Sequence, residues 1–197
     1  MRLGLYGGTF DPIHNAHLAV AQAALARFAL DRVLVIPNRL PPHKQSSTGA
    51  SYEHRLRMVQ LACAPYPALL ASDIENRETK SYTIQTLRQL RTQYREPCEF
   101  FFIIGADAFA EVASWYQVEE VFRMTRFLVV SRPGFSYTIP PGAQVDALDG
   151  FSLSTSATAL RQALAAGEDN TSLAAHLPAL VLAYIQQHQL YRRAATA

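Results

Sequence analysis

A chain of 197 residues, 49% hydrophobic and 17% charged, has the make-up of a folded globular protein with length enough for one core, which argues against disorder over the whole chain. Eighteen Lys and Arg against sixteen Asp and Glu leave a formal charge of +2, too small for a dedicated nucleic-acid surface, so any anion site must be local. Cys63 and Cys98 form no CxxC pair, the start lacks a signal-like apolar run, and no stretch approaches the roughly 20 apolar residues of a membrane span; a reducing cytoplasm and no membrane partner are expected.

Short apolar runs alternate with stretches of helical period, the pattern of repeated βα units. The expected fold is α/β, a Rossmann-like doubly wound parallel sheet in one domain over residues 1–197, with a small C-terminal helical portion at 155–191. Residues 2–6 read as a buried first strand, after which Leu18, Ala21, Leu25 and Phe28 fall on one helical face. Residues 31–37 read as the second strand, followed by a loop rich in Pro, Ser and Thr through Ser51 and a helix over 53–62. A stronger helical period follows a Ser/Thr start over 81–93. The run FFFII at 100–104 has the continuous apolarity of a central strand covered on both faces, and 127–131 is of the same kind. Residues 132–142 read as a Pro- and Gly-rich loop, 154–166 and 178–188 as closing helices, and the tail after Tyr191 as loose. No repeat, heptad or interface stripe marks an oligomeric state.

The most informative stretch is YGGTFDPIHNAHL, from Tyr6 to Leu18. Gly7 and Gly8 come directly after a strand and leave the backbone bare enough for its N–H groups to approach an anion. The helix start beyond them adds free N–H donors and partial positive charge. His14 and His17, three apart, would project to one side of a first helical turn, each able to donate to a phosphate oxygen. A plain glycine turn with two exposed histidines is the simpler alternative, and a metal pair is disfavoured because no third ligand is near; no metal site is expected in the protein itself. Near the other end, STSATALR places Ser156 at a helix cap, Thr158 in its first turn and Arg161 either folded over the same end toward phosphate oxygens or solvated on an ordinary Ser-capped helix. In an open parallel sheet both anion-binding ends can face one crevice, which suits a triphosphate.

These two stretches resemble the signatures of the adenylyltransferases and cytidylyltransferases. Gly8, Phe10, Pro12, His14 and His17 match Gly-x-Phe-x-Pro-x-His-x-Gly-His, with Ala16 in place of the glycine, and Ser156, Thr158 and Arg161 match Ser-x-Thr-x-x-Arg. The stretches IPNRLPPHK, SYTIQTLRQL, IIGAD, WY and SRPG are similar to those of bacterial nicotinate-nucleotide adenylyltransferases. That resemblance implies AMP transfer from ATP, with Mg²⁺, to nicotinate mononucleotide, giving deamido-NAD and pyrophosphate in NAD biosynthesis. It implies His14, His17, Lys44 and Arg161 around the reacting phosphates, and Gly7, Gly8, Thr9, Phe10, Gly105, Asp107, Ser156 and Thr158 on ATP, with Asp107 on the ribose or else capping a helix. Asn38, Thr83, Trp115 and Arg132 fall to the acceptor: Thr83 at a helix start that favours a carboxylate, or as a simple cap, Trp115 stacked on a pyridinium ring, or as a half-buried core aromatic, and Arg132 on the acceptor's phosphate, or as an exposed loop Arg. The loop from Asn38 to Ser51, carrying Lys44, is a candidate lid. Another acceptor, nicotinamide mononucleotide or pantetheine phosphate, and a non-catalytic nucleotide sensor stay open as alternatives. His43, His54, His176 and His188 have no spacing that singles them out.

Overall fold

The apolar runs lie side by side in one sheet. In the computed structural model, which describes residues 1–40, 49–77, 80–94, 97–131, 136–150 and 155–192, six strands are present. They are β1 (Arg2–Gly8), β2 (Arg32–Pro37), β3 (Leu69–Ala71), β4 (Glu99–Gly105), β5 (Thr125–Val130) and β6 (Val145–Ala147), in the order β3-β2-β1-β4-β5-β6, every neighbouring pair parallel. Strands are added on one side of β1 up to β3 and on its other side from β4 onward, so the gap beyond the carboxyl ends of β1 and β4 is the switch point where an open sheet of this kind binds ligands.

The strands read as unbroken apolar runs because both faces are covered. Val33 and Val35 of β2 join one core, and Leu34 and Ile36 join the other. On the first face lie α1 (Asn15–Arg27), α2 (Tyr52–Cys63) and the late helices α6 (Ala157–Ala166), α7 (Asn170–Ala174) and α8 (Ala179–Gln187), whose Leu160, Leu173, Val181 and Ile185 share a cluster with Leu18 and Met58. On the second lie α3 (Thr83–Gln93), α4 (Ala106–Ala110) and α5 (Val118–Met124), with Ile84, Leu87, Phe109 and Val121 packed on Leu3, Phe100 and Phe127. No helix among the described residues is long and apolar enough to cross a membrane.

Every strand and helix expected from the sequence is present within a few residues. The last helical portion begins at Ala157, later than residue 154, because Ser156 takes the cap and accepts from the Ala159 N–H; residue 154 itself lies outside the described residues. Short β3, β6, α4, α5 and α7 were not expected, since three to seven residues carry too little period to announce themselves.

Packing at the sheet centre is tight. Gly4 faces Val33 and Leu30, and a Cβ there would stand 2.7 Å from Val33 Cγ2 and 3.0 Å from Leu30 Cδ1. Val33 is stiff and fully buried, so the strain has no easy outlet. Gly4→Ala is expected to lower stability by about 1–3 kcal/mol, read from the urea midpoint; an unmoved midpoint would show that the neighbours give way freely.

Candidate active site

β1 runs straight into the glycine turn, where sterics hold the backbone. Phe10 adopts a left-handed backbone (φ +48°) that folds its ring back over Gly8, where an added Cβ would lie 3.0 Å from the ring carbon Cζ. A side chain at Gly8 would therefore evict Phe10. The buried Phe10 ring stands edge-on to Tyr6 at 5.5 Å and to His17 at 5.0 Å between centroids.

His14 is the N-cap of α1 rather than part of its first turn, and His17 is the third helical residue. Their rings still meet, stacked with centroids 3.6 Å apart and planes 21° off parallel. The His14 backbone N–H donates to His17 Nδ1 at 3.2 Å. Nδ1 of His17 is thus an acceptor, so the neutral ring carries its proton on Nε2. Burial, and next the neighbouring His176, bring the His14 pKa down to about 4; burial and then His14 hold His17 well below the ordinary histidine value. Both rings are neutral at pH 7. His14 and His17 face each other across the start of α1 in a reciprocal capping arrangement, each side chain turned to the other's backbone N–H.

The second stretch reaches the same corner. Arg161 Nη1 donates to the Asp11 carbonyl oxygen at 2.7 Å, 150 residues away, and Nη2 donates to Thr158 Oγ1 at 3.3 Å. Asp11 is nearly fully buried, and its carboxylate gathers donors from two further segments. Oδ2 accepts from Gly49 N–H at 2.7 Å, while Oδ1 accepts from Ala50 N–H at 3.1 Å and from the Tyr191 hydroxyl at 2.7 Å. Burial, and then the bond to Asp11, push the Tyr191 hydroxyl far above the usual tyrosine range, so it stays a donor. Fully buried Arg55 donates to the Thr9 carbonyl at 2.6 Å. Sequence reasoning missed Asp11, Arg55 and Tyr191; an Asp between Phe10 and Ile13, both apolar, was the available sign.

Beside this corner opens a cavity of about 390 Å³ lined by Gly7, Gly8, Thr9, Asn38, Thr83 and Trp115 among others. Tyr82, not Thr83, is the N-cap of α3, so Thr83 is the first helical residue and its N–H has no intrahelical acceptor. The reading of Thr83 as a simple cap is thereby corrected. Half-buried Trp115 lines the cavity and also packs edge-on against Phe102 at 5.6 Å, so it is a wall residue with a core contact. Gly105, at the end of β4, is the N-cap of α4 with nothing within 4 Å of an added Cβ. Asp107 sits exposed in the first turn of α4 and does not cap it. Lys44, Arg132 and the middle of the candidate lid fall outside the described residues. Glu75 was missed too: it lines the cavity, buried, with Oε1 accepting from Thr86 Oγ1 at 2.9 Å.

The cytidylyltransferase-like family model matches residues 5–164, from β1 to α6. A probable nicotinate-nucleotide adenylyltransferase of Solibacter usitatus is 46% identical over 191 residues, covering 97% of this chain and 100% of that protein. The chain belongs to the nicotinate-nucleotide adenylyltransferase family. A second probable nicotinate-nucleotide adenylyltransferase, from Exiguobacterium sibiricum, is 42% identical over 192 residues, 97% of this chain and 99% of that one. The Plasmodium falciparum nicotinic acid mononucleotide adenylyltransferase complexed with NaAD superposes with a TM-score of 0.77 at 20% identity, covering 96% of this chain and 97% of that one, a likeness of fold. The two stretches that resemble the adenylyltransferase and cytidylyltransferase signatures are joined here by the bond from Arg161 to the Asp11 carbonyl.

Proposed function

We propose that this chain is one nucleotidyltransferase unit that transfers AMP from ATP to nicotinate mononucleotide, releasing pyrophosphate and forming deamido-NAD, in the cytoplasm. The observation that carries the reading is the bond from Arg161 to the Asp11 backbone, which joins the stacked histidines and the capped end of α6 at one corner, next to a cavity of a size for a small ligand. Both cysteines are buried free thiols, in keeping with a reducing compartment.

The triphosphate lies across that corner, its nucleoside part toward Gly105 and Asp107, with Thr9 and Phe10 on the glycine turn shaping the approach. The acceptor fills the cavity, its phosphate toward Asn38 and Arg132, its ring on Trp115 and its carboxylate at the free N–H groups of α3 beside Thr83. An acceptor phosphate oxygen attacks the α-phosphorus in line; one P–O bond forms as the bond to the leaving pyrophosphate breaks, and no covalent enzyme intermediate is needed. His17 donates its Nε2–H to a phosphate oxygen at the reacting centre, and His14 lies stacked beside it. Lys44, Arg161, Ser156 and Thr158 offset charge on the leaving group. When bound with the nucleotide, Mg²⁺ would help neutralise phosphate charge; the nitrogen donors of this corner suit phosphate oxygens rather than a hard cation, and no group of three or more His, Cys, Asp or Glu among the described residues could hold it.

Two measurements test this. Pyrophosphate release from ATP is expected with nicotinate mononucleotide and to be much weaker with nicotinamide mononucleotide; equal rates would sink the acceptor assignment, and no release with either would sink the enzyme. Trp115→Ala is expected to raise the KM of the acceptor about tenfold, leaving that of ATP unchanged, since a stacked cationic ring is worth about 1–2 kcal/mol. A shift in the KM of ATP instead would place the nucleotide, not the acceptor, against Trp115.

A further inference from the structure

We infer that the His176 side chain is a third imidazole of the triphosphate corner, presenting its Nε2 to a phosphate oxygen of the bound nucleotide. The inference rests on the proposed reading of that corner and adds to it a residue that lies in neither signature.

In sequence His176 stands alone, but the fold brings it between the two signature stretches. Its carbonyl oxygen accepts from the Asn15 N–H at 2.8 Å, and the Ala175 carbonyl accepts from Asn15 Nδ2 at 3.2 Å. Asn15 is the residue after His14. On its other side the His176 ring places Nδ1 2.8 Å from Thr155 Oγ1, and Thr155 is the residue before the Ser156 cap. One exposed histidine is thus tied by its backbone to the start of α1 and by its ring to the start of α6. With Nδ1 engaged, Nε2 is the free edge of the ring, and it has no partner among the described residues. When the Thr155 hydroxyl donates to Nδ1, Nε2 carries the proton and is a donor. His176 is near enough to His14 to be felt there electrostatically.

The corner has a use for such a donor. His14 and His17 are neutral, and the Arg161 guanidinium is turned onto Asp11 and Thr158. A nucleoside triphosphate brings several negative charges, and an exposed imidazole edge can meet one of its oxygens as a hydrogen-bond donor. The division of labour within His176 also makes the idea testable: the carbonyl secures the fold at Asn15, so the ring can be removed without cutting that tie.

His176→Ala is expected to raise the KM of ATP about five- to tenfold, as for loss of one partly exposed hydrogen bond to a charged group, with the acceptor KM and the unfolding midpoint unchanged. His176→Gln, whose amide nitrogen reaches a similar place, is expected to recover the KM of ATP to within about twofold of the wild type. The inference is overturned if His176→Ala keeps the wild-type KM of ATP. It is equally overturned if both KM values rise together with a lower unfolding midpoint, since that pattern belongs to a structural role. Wild-type protein without any AMP transfer removes the reading of the corner and this inference with it; active wild type with an unaffected His176→Ala removes this inference alone.

Discussion

His17→Ala is expected to lower kcat about 10²- to 10³-fold with little change in either KM, the scale seen when one preorganised donor to a developing charge is removed. The reason lies in how the ring is held. The His14 N–H occupies Nδ1, the Phe10 edge and the His14 face fix the plane, and Nε2 is left as the donor with no reorganisation needed at the moment of reaction. Because both imidazoles work neutral, turnover is expected to be flat in their protonation from about pH 6.5 upward. Stability behaves differently on the acid side. A histidine whose folded pKa is depressed binds its proton more readily unfolded, so stability is lost as pH falls from the ordinary 6.5 towards the His14 value of about 4. His17→Ala removes one of the two groups responsible and should soften that acid loss. Near-normal turnover in this variant, or an activity limb that titrates with a protonated histidine as the working form, would defeat the assigned role.

Asp11→Ala is expected to destabilise the protein by about 3–5 kcal/mol, the cost of removing one partner from a buried charged cluster. The Gly49 and Ala50 N–H groups and the Tyr191 hydroxyl lose their acceptor at once, and the charges of Arg55 and Arg161 lose their counter-charge. Asp11→Asn keeps an acceptor oxygen for part of this set and should fall between the two. Arg161 loses only its 3.8 Å carboxylate partner, since its shorter bond goes to the backbone, so residual nucleotide binding should survive in whatever folds. Chemical denaturation decides the matter: a wild-type midpoint in Asp11→Ala would mean that the four segments hold together without it.

The parts of the molecule legible in the sequence are those where one rule governs many residues. β2 and β4 announce themselves because two covered faces demand an unbroken apolar run after their exposed first residues, and α3 because a 3.6 period needs length to show. β3 and β6, of three residues each, pair at the sheet edges through backbone groups that any residue supplies. At the site, Gly8 and the His14–His17 spacing were readable because steric bareness and helical geometry tie them to chemistry. Glu75, Tyr191 and His176 were not, since each acquires its neighbours only through the tertiary fold: Thr86, Asp11 and Thr155 lie 11, 180 and 21 residues away in the chain. Thr83 illustrates a middle case, correctly placed at a helix start yet one position past the cap, a difference that leaves its amide free.

The tie between Asp11 and Tyr191 has a bearing on how the protein comes into being. A growing polypeptide presents the glycine turn and both imidazoles early, but Asp11 cannot collect its full complement of donors until synthesis has passed Tyr191, and Arg161 arrives only shortly before. Contacts of such sequence separation close slowly. The nucleotide grip is therefore a late event of maturation, and a prematurely terminated product carries half a binding site that has nothing to clasp.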